Sequence, residues 1–304
     1  MTLPPAWYIL AYHNVSWEDN AFTSSIGGTI PPDVFERHVR EAQGLGQLLP
    51  AQEAARLYAS GEVREPMLSF WFDDAMSGVV DYAAPILEEY QAAGAVSVCS
   101  EFTSHEDMFW RFKLSYLNSI DGLRFVRANL RPLGFTPKMK LKGATLDKFS
   151  LDVVAAIDEI YQRFTTADQR ADAFRIFAAA DDVRSLHENG WLLANHTARH
   201  YPVSEDSAIE LFDREFLECQ EWMTALLNQP PMHWVFPFDR VRHRSTELST
   251  VRRMYPDQTF VFVGDRPNNP GGNDEPNELY RIKVRGKLPG IAHTLKRVAE
   301  ELRR

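Results

Sequence analysis

Cysteine is scarce in this sequence, and long apolar runs are absent. The 304 residues include two cysteines, Cys99 and Cys219, which form no Cys-x-x-Cys pair. This spacing argues against a sulfur metal site and against a disulfide framework. We expect two buried free thiols, with a single long-range disulfide as the alternative. No stretch reaches about 18 consecutive apolar residues, so no membrane span is expected.

Positive charge is also in short supply. Lys and Arg number 33 against 42 Asp and Glu, which gives a formal net charge of −9. Since binding to a phosphate backbone needs a basic face, nucleic acid is not expected as the main partner. Residues 1–6 contain no basic segment followed by an apolar run, which predicts no secretion signal and a cytoplasmic location. The oligomeric state is not predicted.

Apolar strand patterns alternate with helical patterns along most of the chain. The predicted strands are Trp7 to His13, Met67 to Phe72, Ala95 to Cys99, Trp191 to Ala194, Trp234 to Phe236 and Thr259 to Val263. This alternation predicts an α/β fold with a parallel sheet covered by helices, either a barrel or a doubly wound sheet. Residues 102–177 are mostly helical in pattern and longer than an ordinary crossover. We interpret them as a helical insertion in a single catalytic domain that spans residues 1–304.

Two adjacent carboxylates follow the second predicted strand. Asp73 and Asp74 come directly after Phe72, and active sites in parallel α/β folds gather at the carboxyl ends of strands. In such a place one carboxylate can bind a cation while the other accepts a proton. The alternative is a helix N-cap, a position that Asp favours.

Polar residues follow three further strands. His196 and His200 are four positions apart, so a helical turn would direct both imidazoles at one ion, and zinc is a frequent partner of imidazole. His13 follows the first strand, and Phe236 to Asp239 closes another. Taken singly, His13 is more typical of an ordinary core or surface residue, and Pro237 of a turn. A parallel barrel or doubly wound sheet would bring all four strand ends to one rim.

These motifs together resemble a known enzyme family. Phe72 to Ala75 resembles a strand-end Phe-Asp-Asp-Gly motif, His196 to His200 a His-Ser/Thr-x-x-His motif, and Trp234 to Phe238 a strand that ends in Pro-Tyr/Phe. In this order they are similar to the NodB-homology polysaccharide deacetylases, carbohydrate esterase family 4. The resemblance implies a distorted (β/α) barrel of about seven parallel strands.

The resemblance also implies a metal site and roles for individual residues. A divalent metal, zinc in the first place with cobalt or nickel as alternatives, would be held by Asp74, His196 and His200. Asp73 would be the general base. The metal and a backbone N–H near Phe238 would stabilise the oxyanion.

A proton donor for the departing amine is implied at His13. Tyr12 and His13 resemble the end of the first strand in the biofilm poly-N-acetylglucosamine deacetylases, which favours His13 over His293 as the acid. Arg281 resembles a late Arg-Ile element of that subgroup, which would orient Asp73. The alternative for Arg281 is a solvated arginine at a strand edge.

The sequence departs from the family pattern at three points. Ala75 and Asp239 stand where glycine is usual, and the arginine motif near the third signature is shifted to Arg240 or Arg242. These departures bear on the orientation of Asp73 and on substrate shape more than on metal binding.

The activity implied is that of a hydrolase of carbon–nitrogen bonds other than peptide bonds. It would remove the N-acetyl group from an N-acetylated saccharide or glycan precursor. Two alternatives remain open, a hydrolase of a non-sugar amide or imide and a non-catalytic carbohydrate-binding homologue. In the insertion, Trp110 to Lys113 combines aromatic and basic side chains, which suits either contact with an anionic sugar or burial of an amphipathic helix.

Overall fold

The structure, a computed structural model, describes residues 2–202, 209–239, 252–270, 277–284 and 290–301. Its strands are β1 (Trp7–Tyr12), β2 (Asn14–Val15), β3 (Thr29–Ile30), β4 (Gln47–Leu48), β5 (Met67–Phe72), β6 (Ala95–Val98), β7 (Leu192–Asn195), β8 (His233–Val235), β9 (Thr259–Val263) and β10 (Glu278–Lys283). Its α-helices are α1 (Pro32–Leu45), α2 (Ala51–Ala59), α3 (Ala84–Glu89), α4 (Ser100–Thr103), α5 (Trp110–Ser119), α6 (Leu123–Leu130), α7 (Leu141–Asp147), α8 (Leu151–Phe164), α9 (Ala167–Ala173), α10 (Ala180–Glu188), α11 (Ile209–Leu227) and α12 (Gly290–Glu301). Short π and 3₁₀ turns occupy Val79–Ala83, Arg131–Leu133, Phe174–Ile176 and Pro237–Asp239.

Seven of these strands close into a parallel barrel. The order is β1, β5, β6, β7, β8, β9 and β10, and β10 pairs with β1 to complete the ring. The short β4 pairs with the first half of β5 and β6 with its second half, on the side away from β1. The predicted distorted (β/α) barrel is therefore confirmed.

The strand that closes the barrel was missing from the sequence prediction. β10 carries Leu279, Tyr280 and Ile282 fully buried, and its register sets Arg281 opposite Ile9 of β1. Its sequence lacks a long apolar run and follows a loop rich in Pro, Gly and Asn. The other strand predictions agree with the structure to within one residue at each end.

The interior of the barrel is mostly apolar, with the buried Ser69 and Ser97 accepting hydrogen bonds from the indoles of Trp7 and Trp71. Side chains that include Trp7, Trp71, Leu192, Val261 and Leu279 form one buried cluster inside the ring. The alternate residues face outward into two further clusters, a large one under most of the helices and a smaller aromatic one that includes Trp234, Phe260 and Tyr280. Because side chains alternate along a strand, Asp73 and Arg281, two positions beyond Trp71 and Leu279, also point inward, at the rim formed by the carboxyl ends of the strands.

The insertion is helical, as predicted, and α4 to α9 occupy most of residues 100–173. Its aromatic residues are structural in part: Phe109, Trp110 and Phe112 are at most 3% exposed. Lys113 is also buried and forms ion pairs of 2.7 Å with both Asp107 and Asp158. Burial of an amphipathic helix thus explains these residues, whereas Arg111 is only half-buried. None of the described helices is long and apolar enough to cross a membrane.

Candidate metal and active site

Asp73 and Asp74 leave the carboxyl end of β5 without starting a helix. Asp73 N–H donates to Tyr12 O at 3.0 Å, which ties this strand end to β1. Asp74 and Ala75 then adopt left-handed backbone, with φ of 69° and 45°. The helix N-cap alternative is therefore wrong, since a turn follows here. Both carboxylates are buried, at 5% and 3% exposure.

The two histidines follow β7 in an irregular loop. Asn195 Oδ1 accepts from Thr197 N–H at 2.9 Å, and Thr197 Oγ1 accepts from His200 N–H at 2.9 Å. Thr197 and His200 both have positive φ, so the helical turn expected for this spacing is not formed. The loop nevertheless brings the rings of His196 and His200 to a centroid distance of 4.6 Å. The proximity of the two imidazoles was predicted correctly for the wrong geometric reason.

Asp74, His196 and His200 converge on one point. Asp74 Oδ1 lies 3.7 Å from His196 Nε2 and 3.5 Å from His200 Nε2, and one ligand atom from each residue lies within 4.8 Å of the others. His196 Nδ1 lies 2.8 Å from Val235 O. Since a carbonyl oxygen only accepts, Nδ1 carries the proton and Nε2 presents its lone pair to the site.

The donor set fits a divalent cation. Asp74 Oδ1 is buried and accepts no hydrogen bond from the residues that the structure describes, although it faces two ring nitrogens. Burial, and then the neighbouring charge of Asp73, raises the pKa of Asp74 to about 8, and burial lowers the pKa of His196 to about 4. A cation between these atoms would compensate the buried carboxylate. One carboxylate and two imidazoles are typical of the protein ligands in a catalytic zinc site.

Asp73 is held by an arginine from β10, which is separated from β5 by one strand, β1. The Arg281 guanidinium, 1% exposed on β10, donates to Asp73 Oδ1. Burial raises the pKa of Asp73, but the Arg281 charge, followed by His196 and His13, outweighs it and keeps this pKa well below its usual range. The solvated strand-edge alternative for Arg281 is therefore wrong.

His13 lies at the same rim, whereas His293 does not. Half-buried His13 directly follows β1, with Gly28 packed against its side chain. Burial lowers the pKa of His13, partly opposed by Asp73 and reinforced by Lys283 and Arg281. His293 is exposed on α12, whose first turn contacts Glu41 of α1 on the outer helical layer. Of the two acid candidates, only His13 interacts with Asp73 in the described structure.

Phe238 follows β8 with left-handed backbone, φ 60°. Its ring packs edge-on against His200 at a centroid distance of 4.6 Å, and the Arg111 guanidinium lies 5.2 Å above it. The third strand-end motif thus reaches the histidine site, as expected. The side chain of Asp239 and the whole of Arg240 and Arg242 lie outside the described residues.

The residues that hold the histidine loop in place were not predicted from the sequence. Arg199 bonds Glu215 through both its backbone N–H, at 2.8 Å, and its guanidinium, at 2.9 Å, and also pairs with Glu101 of α4 and Glu218 of α11. Asn195 in turn donates to Phe216 O at 2.8 Å. The spacing of the acidic residues on α11 was visible in the sequence, but nothing local linked it to Arg199.

Comparison with protein families supports the resemblance. A family model for polysaccharide deacetylase matches residues 137–252, a range that contains His196 and His200 but not Asp73 and Asp74. Among curated proteins, no significant match is found. The predicted resemblance to the polysaccharide deacetylases is confirmed, and the predicted class, a hydrolase of carbon–nitrogen bonds, agrees with it.

Solved structures share the whole fold at low sequence identity. The Streptococcus pyogenes deacetylase PplD, in complex with acetate, is 16% identical with a TM-score of 0.60, over 97% of this chain and 98% of that one. IcaB from Ammonifex degensii is 14% identical with a TM-score of 0.60, over 98% and 97%. The de-N-acetylase from Aggregatibacter actinomycetemcomitans is 13% identical with a TM-score of 0.60, over 96% and 99%. At these identities the likeness establishes the fold.

Proposed function

From the resemblance to the polysaccharide deacetylases, we propose that this protein is a divalent-metal-dependent hydrolase that removes the acetyl group from an N-acetylated sugar. The observation that carries the proposal is the buried Asp74 Oδ1, which accepts no hydrogen bond from the described residues and lies 3.5 Å and 3.7 Å from two imidazole nitrogens. In this role Asp74, His196 and His200 would hold the metal, with zinc as the first candidate. When bound, the metal would polarise the acetamide carbonyl and make a water molecule more acidic.

Asp73 is proposed as the base that takes the proton of the attacking water. Its carboxylate adjoins the ligand Asp74 along the chain, and Arg281 fixes its Oδ1. This contact supports a carboxylate that stays ionised and holds one orientation, both of which a general base requires. Arg281 is therefore proposed as a positioning residue.

His13 is proposed to protonate the amine nitrogen as the carbon–nitrogen bond breaks. Because burial lowers its pKa, His13 is mainly neutral before the reaction. Asp73 removes one proton from water, and the departing amine needs one proton. This proton would pass from Asp73 to His13 and from His13 to the amine nitrogen, which balances the reaction and yields acetate and a free amino sugar. Acetate is also the molecule bound in the PplD structure.

The oxyanion of the tetrahedral intermediate would be stabilised near Phe238. The left-handed backbone at this residue turns the chain sharply at the carboxyl end of β8, beside His200. A backbone N–H directed at the oxyanion contributes about 3–4 kcal/mol in comparable sites. The Phe238 ring also shields His200, which supports a site of restricted water access.

Acetate release and bound metal test this function together. We expect the protein loaded with zinc, cobalt or nickel to release acetate from N-acetylated sugars. Asp74→Ala should lose both metal and turnover, whereas the matched variant Asp73→Asn should keep stoichiometric metal and lose turnover. The proposal fails if the loaded protein releases no acetate from a broad panel while Asp74→Ala still binds metal.

A further inference from the structure

A basic cavity in the helical insertion adjoins the proposed active site. It has a volume of about 280 Å³ and lies between residues 25–26 and helices α5, α6 and α7. Apolar side chains such as Leu114 and Leu123 form its base. This volume is close to the lower limit, about 300 Å³, of pockets that hold small molecules.

The charge of the cavity is opposite to that of the chain. Its lining includes Arg111, Arg127, Lys140 and Lys142, and none of the described residues that line it is acidic. The whole chain, these four residues included, has nine more acidic than basic side chains by formal charge. Four cations around one small cavity repel one another, so the arrangement favours an anionic occupant.

Two of these cations are held by neutral groups. Lys142 Nζ donates to Ser25 O at 2.8 Å and to Ile26 O at 2.9 Å, and Arg127 donates to Met139 O at 2.8 Å. Backbone carbonyls orient the side chains without cancelling their charge. The cavity wall is braced as well, because Ser115 donates to Ala21 O and accepts from Ser25. The site is therefore built before any ligand arrives.

Arg111 connects the cavity to the reaction centre. Its guanidinium lines the cavity and also lies over the Phe238 ring, which packs against His200. Its positive charge lowers the pKa of Asp74 and of His13 at the candidate site, and it also lowers the pKa of Lys142 in the cavity. Arg111 of the cavity and the His200 ring thus contact the same Phe238 ring, so one sugar could place its acetamide at the candidate metal ligands and an anionic substituent in the cavity.

We propose that the cavity binds a phosphate group carried by the N-acetylated sugar, so that the enzyme acts on a phosphorylated saccharide. This inference rests on the proposed function for the position of the acetamide. Several cations, two of them arginines with planar donor groups, suit the oxygens and the charge of a phosphate better than a single carboxylate. A phosphate monoester and a phosphodiester share this chemistry, and the test distinguishes the two.

Kinetics with matched sugars test the inference. N-acetylglucosamine, its 1-phosphate, its 6-phosphate, the methyl phosphodiester of the 6-phosphate and N-acetylmuramic acid would be compared at low and high salt. We expect KM to be about tenfold lower for a phosphorylated sugar than for the neutral one, with the difference shrinking in high salt. A preference for the diester would identify a polymer or linked precursor, and a preference for a monoester a free sugar phosphate.

The cavity variants are Lys142→Gln and Arg127→Gln. Each should reduce the preference for phosphate over neutral sugar by about fivefold or more. Lys148→Gln is the matched control, since Lys148 is also exposed, also donates to a carbonyl, Gly134 O, and lies outside the cavity. It should keep the preference of the wild type.

Direct binding separates this inference from the proposed function. Calorimetry with the 1-phosphate and 6-phosphate of N-acetylglucosamine would use Asp73→Asn, with and without Lys142→Gln. Phosphate-dependent binding that Lys142→Gln weakens would support the phosphate site in the cavity. If the same protein deacetylates no sugar, the proposed function is refuted but the phosphate site is not. Turnover of neutral sugars with no phosphate preference would overturn the inference alone. A preference for N-acetylmuramic acid that Lys142→Gln removes would replace phosphate by carboxylate.

Discussion

Removing the Arg199 side chain should both destabilise the protein and loosen the metal site. Arg199 is 25% exposed, and its partner Glu215 is 1% exposed and bonded through both carboxylate oxygens. Its pairs with Glu101 and Glu218 are more exposed, so they contribute at most about 1 kcal/mol each. The dominant cost of Arg199→Met is the buried charge left on Glu215, which is about 3–5 kcal/mol.

Urea unfolding and zinc competition would measure the two consequences. Arg199→Met should lower the free energy of unfolding by the amount above, and it should weaken zinc binding because Arg199 precedes His200, a proposed zinc ligand. The double variant Arg199→Met with Glu215→Gln should recover part of the loss, with a coupling energy of about 2 kcal/mol. Arg184→Met is the control: Arg184 pairs with Asp181 on the surface and should cost less than about 1 kcal/mol. A loss for Arg199→Met no larger than this control would refute the reasoning.

Three further predictions concern the turns and the thiols. Asn195→Ala removes the acceptor for the Thr197 N–H and should weaken zinc binding about 10–100-fold, measured by chelator competition, with the barrel still folded. Cys99 and Cys219 are free and buried, and burial raises the pKa of Cys219 to about 12. Both thiols should therefore stay protonated and unreactive toward Ellman's reagent at pH 8, and both should react in urea; fast reaction of the native protein would contradict this. Ala75→Gly should change the free energy of unfolding by less than about 1 kcal/mol. Glycine relieves the strain of the left-handed backbone, which stabilises the protein, but it also removes a buried methyl group and raises the entropy of the unfolded chain, which destabilise it. The control Ala95→Gly, in β6 and fully buried, should cost more than about 1 kcal/mol in the same unfolding assay.

The sequence predicted the strand ends well because a buried apolar run is followed there directly by polar residues that can bind a metal or transfer a proton. β5 runs as six buried residues directly into Asp73 and Asp74, so its apolar pattern and its polar end are adjacent in the chain. The same holds for β7 and the histidine loop. In a parallel barrel, all such ends lie on one rim, so local patterns were enough to assemble the candidate metal ligands.

Contacts between distant segments were not visible in the residue pattern itself. Arg281 lies 208 positions from Asp73, in a strand whose pattern is short and interrupted by charge, so only the family resemblance linked the two residues. Arg199 and Glu215 meet through a loop and a helix whose relative placement depends on the packed barrel. A single arginine in a sequence is expected at the surface, because its charge can be buried only beside an acidic partner, and that partner is not visible in the sequence.

The backbone of the rim explains why these distant contacts are needed. Asp74, Ala75, Thr197, His200 and Phe238 all have positive φ, and none is glycine. Each costs about 1 kcal/mol or more relative to ordinary backbone, so these turns would relax if nothing held them. The turns direct a carboxylate, two imidazoles and the chain at Phe238 toward one point. The barrel ladder, the side-chain hydrogen bonds within the histidine loop and the buried arginine pairs supply the restraint. Residues that no sequence motif singled out, such as Arg199 and Glu215, therefore help to determine whether the candidate metal ligands can bind one ion together.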